Sequence, residues 1–155
     1  VALRSMPRFA TTARPTATIT NLGGPAIEMT KRGPTGRAIP KNTVMWKGAV
    51  TLVAAATIPF FGFGLKMFAF ANARPGKFQL RCGDVGLLEI VRNTPAAFRG
   101  EYFSDNVRDF LCDRVQIELD QETAIEAGGE LLGDRRQVEV SLGRPATLAT
   151  LAKDP

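Results

Sequence analysis

Residues 48–65 read GAVTLVAAATIPFFGFGL, eighteen consecutive positions without a formal charge. Wound as a helix at about 1.5 Å per residue, such a run rises about 27 Å, close to the roughly 30 Å hydrocarbon thickness of a bilayer. Apolar texture resumes as MFAFANA at 67–73, beyond a single Lys66. A helix buried inside a water-soluble domain needs a shell of chain on every side. The 47 residues before the run are too rich in Gly, Pro, Thr and Arg to build that shell. A signal peptide fits poorly, because the run begins late and lacks a clear small-residue cleavage site. The pattern therefore predicts one transmembrane helix over 48–73. Pro59 would kink it by removing the hydrogen bond to the carbonyl of Ala55.

On that helix Gly48, Thr51, Ala55, Pro59 and Gly62 follow spacings of three and four and form one small-residue stripe. Small side chains let membrane helices approach closely, so the stripe reads as a helix-packing face toward a neighbour. Trp46 and Lys47 mark the near interface, with Lys41 just before them. Lys66, Arg74 and Lys77 mark the far one, where long cationic side chains reach headgroups. Basic flanks of this kind suit anionic phospholipids such as cardiolipin.

Residues 1–47 carry prolines at 7, 15, 25, 34 and 40 and glycines at 23, 24, 33 and 36. No helical period survives that spacing, so an extended basic arm is expected, laid along a partner. Residues 74–155 have a soluble texture and read as a small acidic α+β domain with a C-terminal tail. FQLR (78–81) and VGLLEIV (85–91) suggest short strands. Ser104 suggests a helix N-cap, with Val107, Phe110, Leu111 and Val115 following at helical spacing. Val115, Ile117 and Leu119 alternate with polar residues, as do Val138, Val140 and Leu142, and both runs suit half-buried strands. ETAIEAGGELLGD between them reads as a short helix broken at Gly128–Gly129 or as a loop. The fold class expected is a membrane protein of α+β type, divided into 1–47, 48–73 and 74–155.

The net charge of +5 hides an asymmetry: residues 1–47 hold eight basic residues against Glu28 alone, while residues 82–155 hold fourteen acids against eight bases. The basic residues lack the interleaved aromatics of a nucleic-acid surface, so no nucleic acid is expected as a partner. The absence of histidine removes Ser/His/Asp and Cys/His catalysis and most zinc sites. Cys82 and Cys112 form no paired-cysteine motif and read as buried free thiols. Asp105, Asp109 and Asp113, spaced by four, lack a calcium-loop spacing and read as a solvated face. No glycine cluster has a phosphate-loop pattern. No catalytic residue, metal or cofactor is expected.

The opening VALRSMPRFATTARP is rich in Arg, Ser, Thr and Ala, and no acid precedes Glu28, a bias shared with mitochondrial targeting segments. Together with the span it predicts a single-pass protein of the mitochondrial inner membrane. The positive-inside tendency puts the N-terminus in the matrix and the acidic domain in the intermembrane space. The stretch KRGPTGRAIPKNTVMWKGAVTLVAAATIPFFGFGLKMF resembles the single-span accessory subunits of cytochrome c oxidase, most of all subunit seven-a. There too a basic Lys/Gly segment precedes a span with Thr and Gly among apolar residues. The resemblance covers about a quarter of the chain. It implies a non-catalytic accessory subunit of a respiratory complex, with other subunits of the complex as partners. The alternatives are an accessory subunit of ATP synthase or of complex I or III, a membrane-anchored enzyme, and a translocation factor.

Overall fold

The computed structural model describes residues 14–144. Their order is β1 (Thr16–Asn21), β2 (Ala26–Thr30), β3 (Gly33–Ile39), β4 (Val44–Ala49), β5 (Leu52–Ala56), β6 (Phe78–Gly83), α1 (Leu87–Arg99), β7 (Val107–Cys112), β8 (Arg114–Ala127) and β9 (Glu130–Ser141). The strands form two antiparallel sheets. The first has the order β4-β1-β8-β9 and the second β3-β2-β7-β6-β5.

Side chains alternate across a strand, and β1 shows why this chain builds a sandwich. Ala17, Ile19 and Asn21 are buried, while Thr16, Thr18 and Thr20, which alternate with them, are more exposed. Ile19 pairs with Trp46 on one side and Ile117 on the other. The core forms where this face meets the second sheet: Ala17, Ile19, Val115 and Ile117 join Ala26, Phe78, Leu80, Cys82, Phe110 and Cys112. The chain changes sheets at corners, among them Leu22–Pro25 and Asp113. At the first, the buried Asn21 amide donates to the carbonyls of Gly24, Ile39 and Pro40 at 2.9, 3.0 and 3.2 Å. At the second, Asp113 accepts the Gly24 N–H at 3.0 Å. Gly23 has no room for a side chain, since a Cβ there would collide with the Asp113 carboxylate.

Both faces of β6 are buried. One face enters the sandwich core. The other carries Gln79 and Arg81, which meet Phe70 of the 57–77 connection and Tyr102 in the segment after α1. Arg81 pairs across the sheet with Asp109, its Nε donating to Oδ1 at 2.8 Å and a terminal nitrogen to Oδ2 at 2.9 Å. The same guanidinium donates to the Tyr102 carbonyl at 3.1 Å. Gln79 donates to Asp109 at 2.6 Å and accepts the Phe70 N–H at 2.7 Å. This network leaves few polar atoms unmet and ties the covering layer to the sheet.

The architecture corrects the expected α+β membrane fold. Among the described residues no helix is long and apolar enough to cross a membrane. The 48–65 run supplies the end of β4, a corner at Val50–Thr51, all of β5 and a loop. Gly48, Pro59, Gly62 and Gly64 punctuate it, leaving only ten uninterrupted residues between Gly48 and Pro59, which suits strands better than a span. The single-pass inner-membrane location, with its matrix N-terminus, falls with the span. The extended arm is corrected as well: residues 16–21 form a central strand between β4 and β8. Within the C-terminal part, the helix expected from Ser104 is β7, and the strand expected over 85–91 opens α1. The broken helix expected near Gly128–Gly129 is the turn of the β8–β9 hairpin, where both glycines take the positive φ that a two-residue turn demands. The targeting-like residues 1–13 lie outside the described residues.

Candidate functional site: an apolar groove beside α1

Helix α1 begins at Gly86, which supplies no side-chain cap, and ends at Gly100 with φ 77°, a left-handed C-cap. Of its thirteen residues only Ala97 is buried. Leu87, Val91 and Phe98 stand at i, i+4 and i+11, so they share one stripe, with Leu88 beside it. All four are exposed. Arg92 and Arg99 flank the stripe seven residues apart.

The 57–68 loop lies against the end of this helix. The Lys66 N–H donates to the Ala97 carbonyl at 2.9 Å, and the Phe68 N–H donates to Pro59 at 3.1 Å. Gly62 and Gly64 have positive φ, as does Phe63 between them at 48°. That tight turn projects the Phe63 ring wholly into solvent. Ile58, Phe60 and Phe61 are also exposed. Of the twelve exposed large hydrophobic residues among those described, nine therefore lie in this loop or on α1.

Between the loop and the helix runs a groove of about 230 Å³. Leu52, Phe61, Leu65, Met67, Val85, Ile90 and Ala97 give it apolar walls, with Thr51, Asn93, Thr94 and Tyr102 among them. Each of these polar groups already has a partner in the protein. The Thr51 hydroxyl donates to the Val85 carbonyl at 2.9 Å and accepts its N–H at 2.7 Å. Asn93 donates to the Glu89 carbonyl and Thr94 to the Ile90 carbonyl. The Tyr102 hydroxyl donates to Glu89 at 3.1 Å. Burial first, and then Glu89, push that phenol up to about 12. The groove thus presents hydrocarbon and aromatic surface, with no group poised as a nucleophile or base. Its volume falls short of the roughly 300–1,000 Å³ of drug-sized pockets, which suits one narrow apolar chain rather than a bulky cofactor.

The residues expected to pack a membrane helix are scattered by this fold. Thr51 lines the groove. Gly62 bridges to Leu65 in the neighbouring turn, and the Pro59 carbonyl receives the Phe68 N–H. Gly48 lies opposite Ala17 in β4, and Ala55 opposite Leu80 in β5. Of the expected interface residues, Trp46 packs on the sandwich core, its buried Nε1 without a hydrogen bond among the described residues. Lys47 pairs with Thr18 in β4, and Lys41 is exposed in the β3–β4 turn. Lys66 is exposed, its stem packed near Gly100. Arg74 and Lys77 line a second, open depression of about 320 Å³ with Thr57 and Asn72; Lys77 is 3.5 Å from Asp113.

Sequence reasoning missed Leu87, Leu88, Val91 and Phe98 as a face. The signal was present: Glu89 in the first turn, Arg99 in the last and Gly100 just beyond are helix-end chemistry. Among the described residues no group of three or more His, Cys, Asp or Glu is placed to hold a metal. Cys82 and Cys112 are buried and free, and desolvation holds both thiols well above the ordinary range. Compared with known proteins, the chain matches no protein-family model and no curated protein sequence.

Proposed function

We propose that this chain is a lipid-binding module. It seats the α1 stripe and the 58–63 loop in the interfacial layer of a bilayer and takes an acyl chain into the groove between them. One observation carries the reading: nine large apolar side chains stand in solvent on α1 and the 58–63 loop, and two of them, Phe61 and Ile90, line the apolar groove between these elements. Exposed apolar side chains concentrated in this way mark a binding face. The flanking Arg92 and Arg99 match a helix lying in a membrane surface, where arginine stems run along the apolar layer and the charges stay with headgroups. The accessory-subunit reading relied on a span for anchoring, and the segment resembling respiratory subunits is built here into β3, β4 and β5. Lipid remains the partner, contacted from the surface.

The test is co-sedimentation of the protein with phospholipid vesicles. Wild type pellets with vesicles, and Leu88→Asp combined with Phe63→Asp stays in the supernatant. Both side chains are solvent-exposed, so the variant keeps the wild-type stability to within about 0.5 kcal/mol. Equal pelleting of wild type and variant would overturn the reading, as would no pelleting of wild type.

A further inference from the structure

We propose that the chain's own N-terminal segment, residues 1–13, is an occupant of the groove: Phe9 and Met6 seat against its apolar walls and compete with the acyl chain. The inference rests on the lipid-binding reading for what is displaced, and adds how the site is regulated. The place where the segment joins the fold carries it. The Pro15 carbonyl accepts the Val50 N–H at 2.8 Å, and Arg14 grips both carboxylate oxygens of Asp84 at 2.8 and 2.9 Å. The chain neighbours of Val50 and Asp84 are Thr51 and Val85, and both line the groove. Their mutual hydrogen bonds at 2.7 and 2.9 Å close that end of its wall. Residues 1–13 therefore join the described chain one residue away from the groove on two sides. The other end of the described chain is placed differently, since Leu142 lines the second depression beside Arg74.

Length and composition fit this seat. Phe9 precedes Arg14 by five residues, a reach of at most about 17 Å. Ile90 and Ala97, the first and last groove residues of α1, are only about 10 Å apart along the helix. The segment VALRSMPRFATTA carries Leu3, Met6 and Phe9, with Arg4 and Arg8 and no acid. Glu89 meets the groove wall through Tyr102, and its printed partners among the described residues are neutral: Tyr102, Asn106 and Ser104. Arg92 and Arg99 lie about 200° and 180° around α1 from Ile90, on the side away from the groove. Lys66, between the groove residues Leu65 and Met67, packs its stem near Gly100 at the far end of the helix. A short tether holds such a segment at an effective concentration of about 1 mM. A contact of only about 0.1 mM affinity then keeps the groove about 90% filled, so releasing it strengthens lipid binding about tenfold.

Two readouts on the full chain test this. With Phe9 replaced by p-benzoylphenylalanine, irradiation without lipid should crosslink position 9 to residues 61–67 or 90–97, mapped by mass spectrometry. Crosslinks confined to other residues, or none, overturn the proposal. Met6→Asp with Phe9→Asp should bind phosphatidylcholine vesicles about tenfold more tightly than wild type. Equal binding overturns the proposal, and so does weaker binding, which would make the segment a membrane contact in its own right. If neither protein binds vesicles, the lipid-binding reading fails, and the lipid-free crosslink alone decides whether the segment fills the groove.

Discussion

Arg81 and Asp109 face each other beneath the covering layer, both nearly inaccessible to water. A buried pair stabilises little against an apolar substitute of the same shape, but losing one partner strands the other. Arg81→Ala leaves the Asp109 carboxylate and the Tyr102 carbonyl without their main donor. It is expected to cost about 3–5 kcal/mol in urea unfolding, and Arg81→Met with Asp109→Leu to cost clearly less. Glu89 governs a milder effect. Hydrogen bonds from Ser104, then Asn106 and Tyr102, hold its carboxyl below the ordinary value of 4.5. A carboxyl lowered by folding contributes stability that is present above the unfolded value and is lost as pH falls through the folded one. Stability should therefore drop as pH falls below about 4.5, and Glu89→Gln should flatten that limb of the profile, read as urea midpoint against pH.

At the scale of elements, legibility followed the clarity of the period. FQLR, the Val115–Leu119 alternation and the Val138–Leu142 alternation are strands because one face of each meets the core. The 48–65 run misled because absence of charge satisfies a span and a pair of buried strands alike. Length alone could not separate them, whereas the breakers Gly48, Pro59 and Gly62 could. VGLLEIV read as a strand because its apolar residues are nearly continuous. Its helical character lies in the residues beyond Val91, through Arg99 to the Gly100 cap. The four exposed apolar residues of α1 were invisible as a face until the helix was placed, since an apolar residue in sequence is ordinarily assigned to a core. Gly100 is a specific lever on that face. Gly100→Ala puts a Cβ on a left-handed residue, close to the Lys66 stem, and is expected to cost about 1 kcal/mol. It should weaken vesicle binding while leaving the sandwich intact by circular dichroism.

The whole molecule divides its surfaces. The sandwich supplies the rigid body, and its second sheet is covered by one layer whose outer side is apolar. The cations that looked like a membrane flank in sequence are spread over turns and edge strands, Lys41 in the β3–β4 turn and Lys47 on β4. The acidic residues of 122–134 lie on the distal part of the β8–β9 hairpin, which beyond Leu119 pairs only with itself in the sheet. Charge asymmetry along the chain therefore becomes asymmetry between regions of one fold.

Amide hydrogen exchange with and without phospholipid vesicles tests the central claim most directly. Added vesicles should slow exchange in residues 58–66 and 87–99 and leave the distal β8–β9 hairpin unchanged. Unaltered exchange in both of those segments, or protection confined to the hairpin, would contradict it.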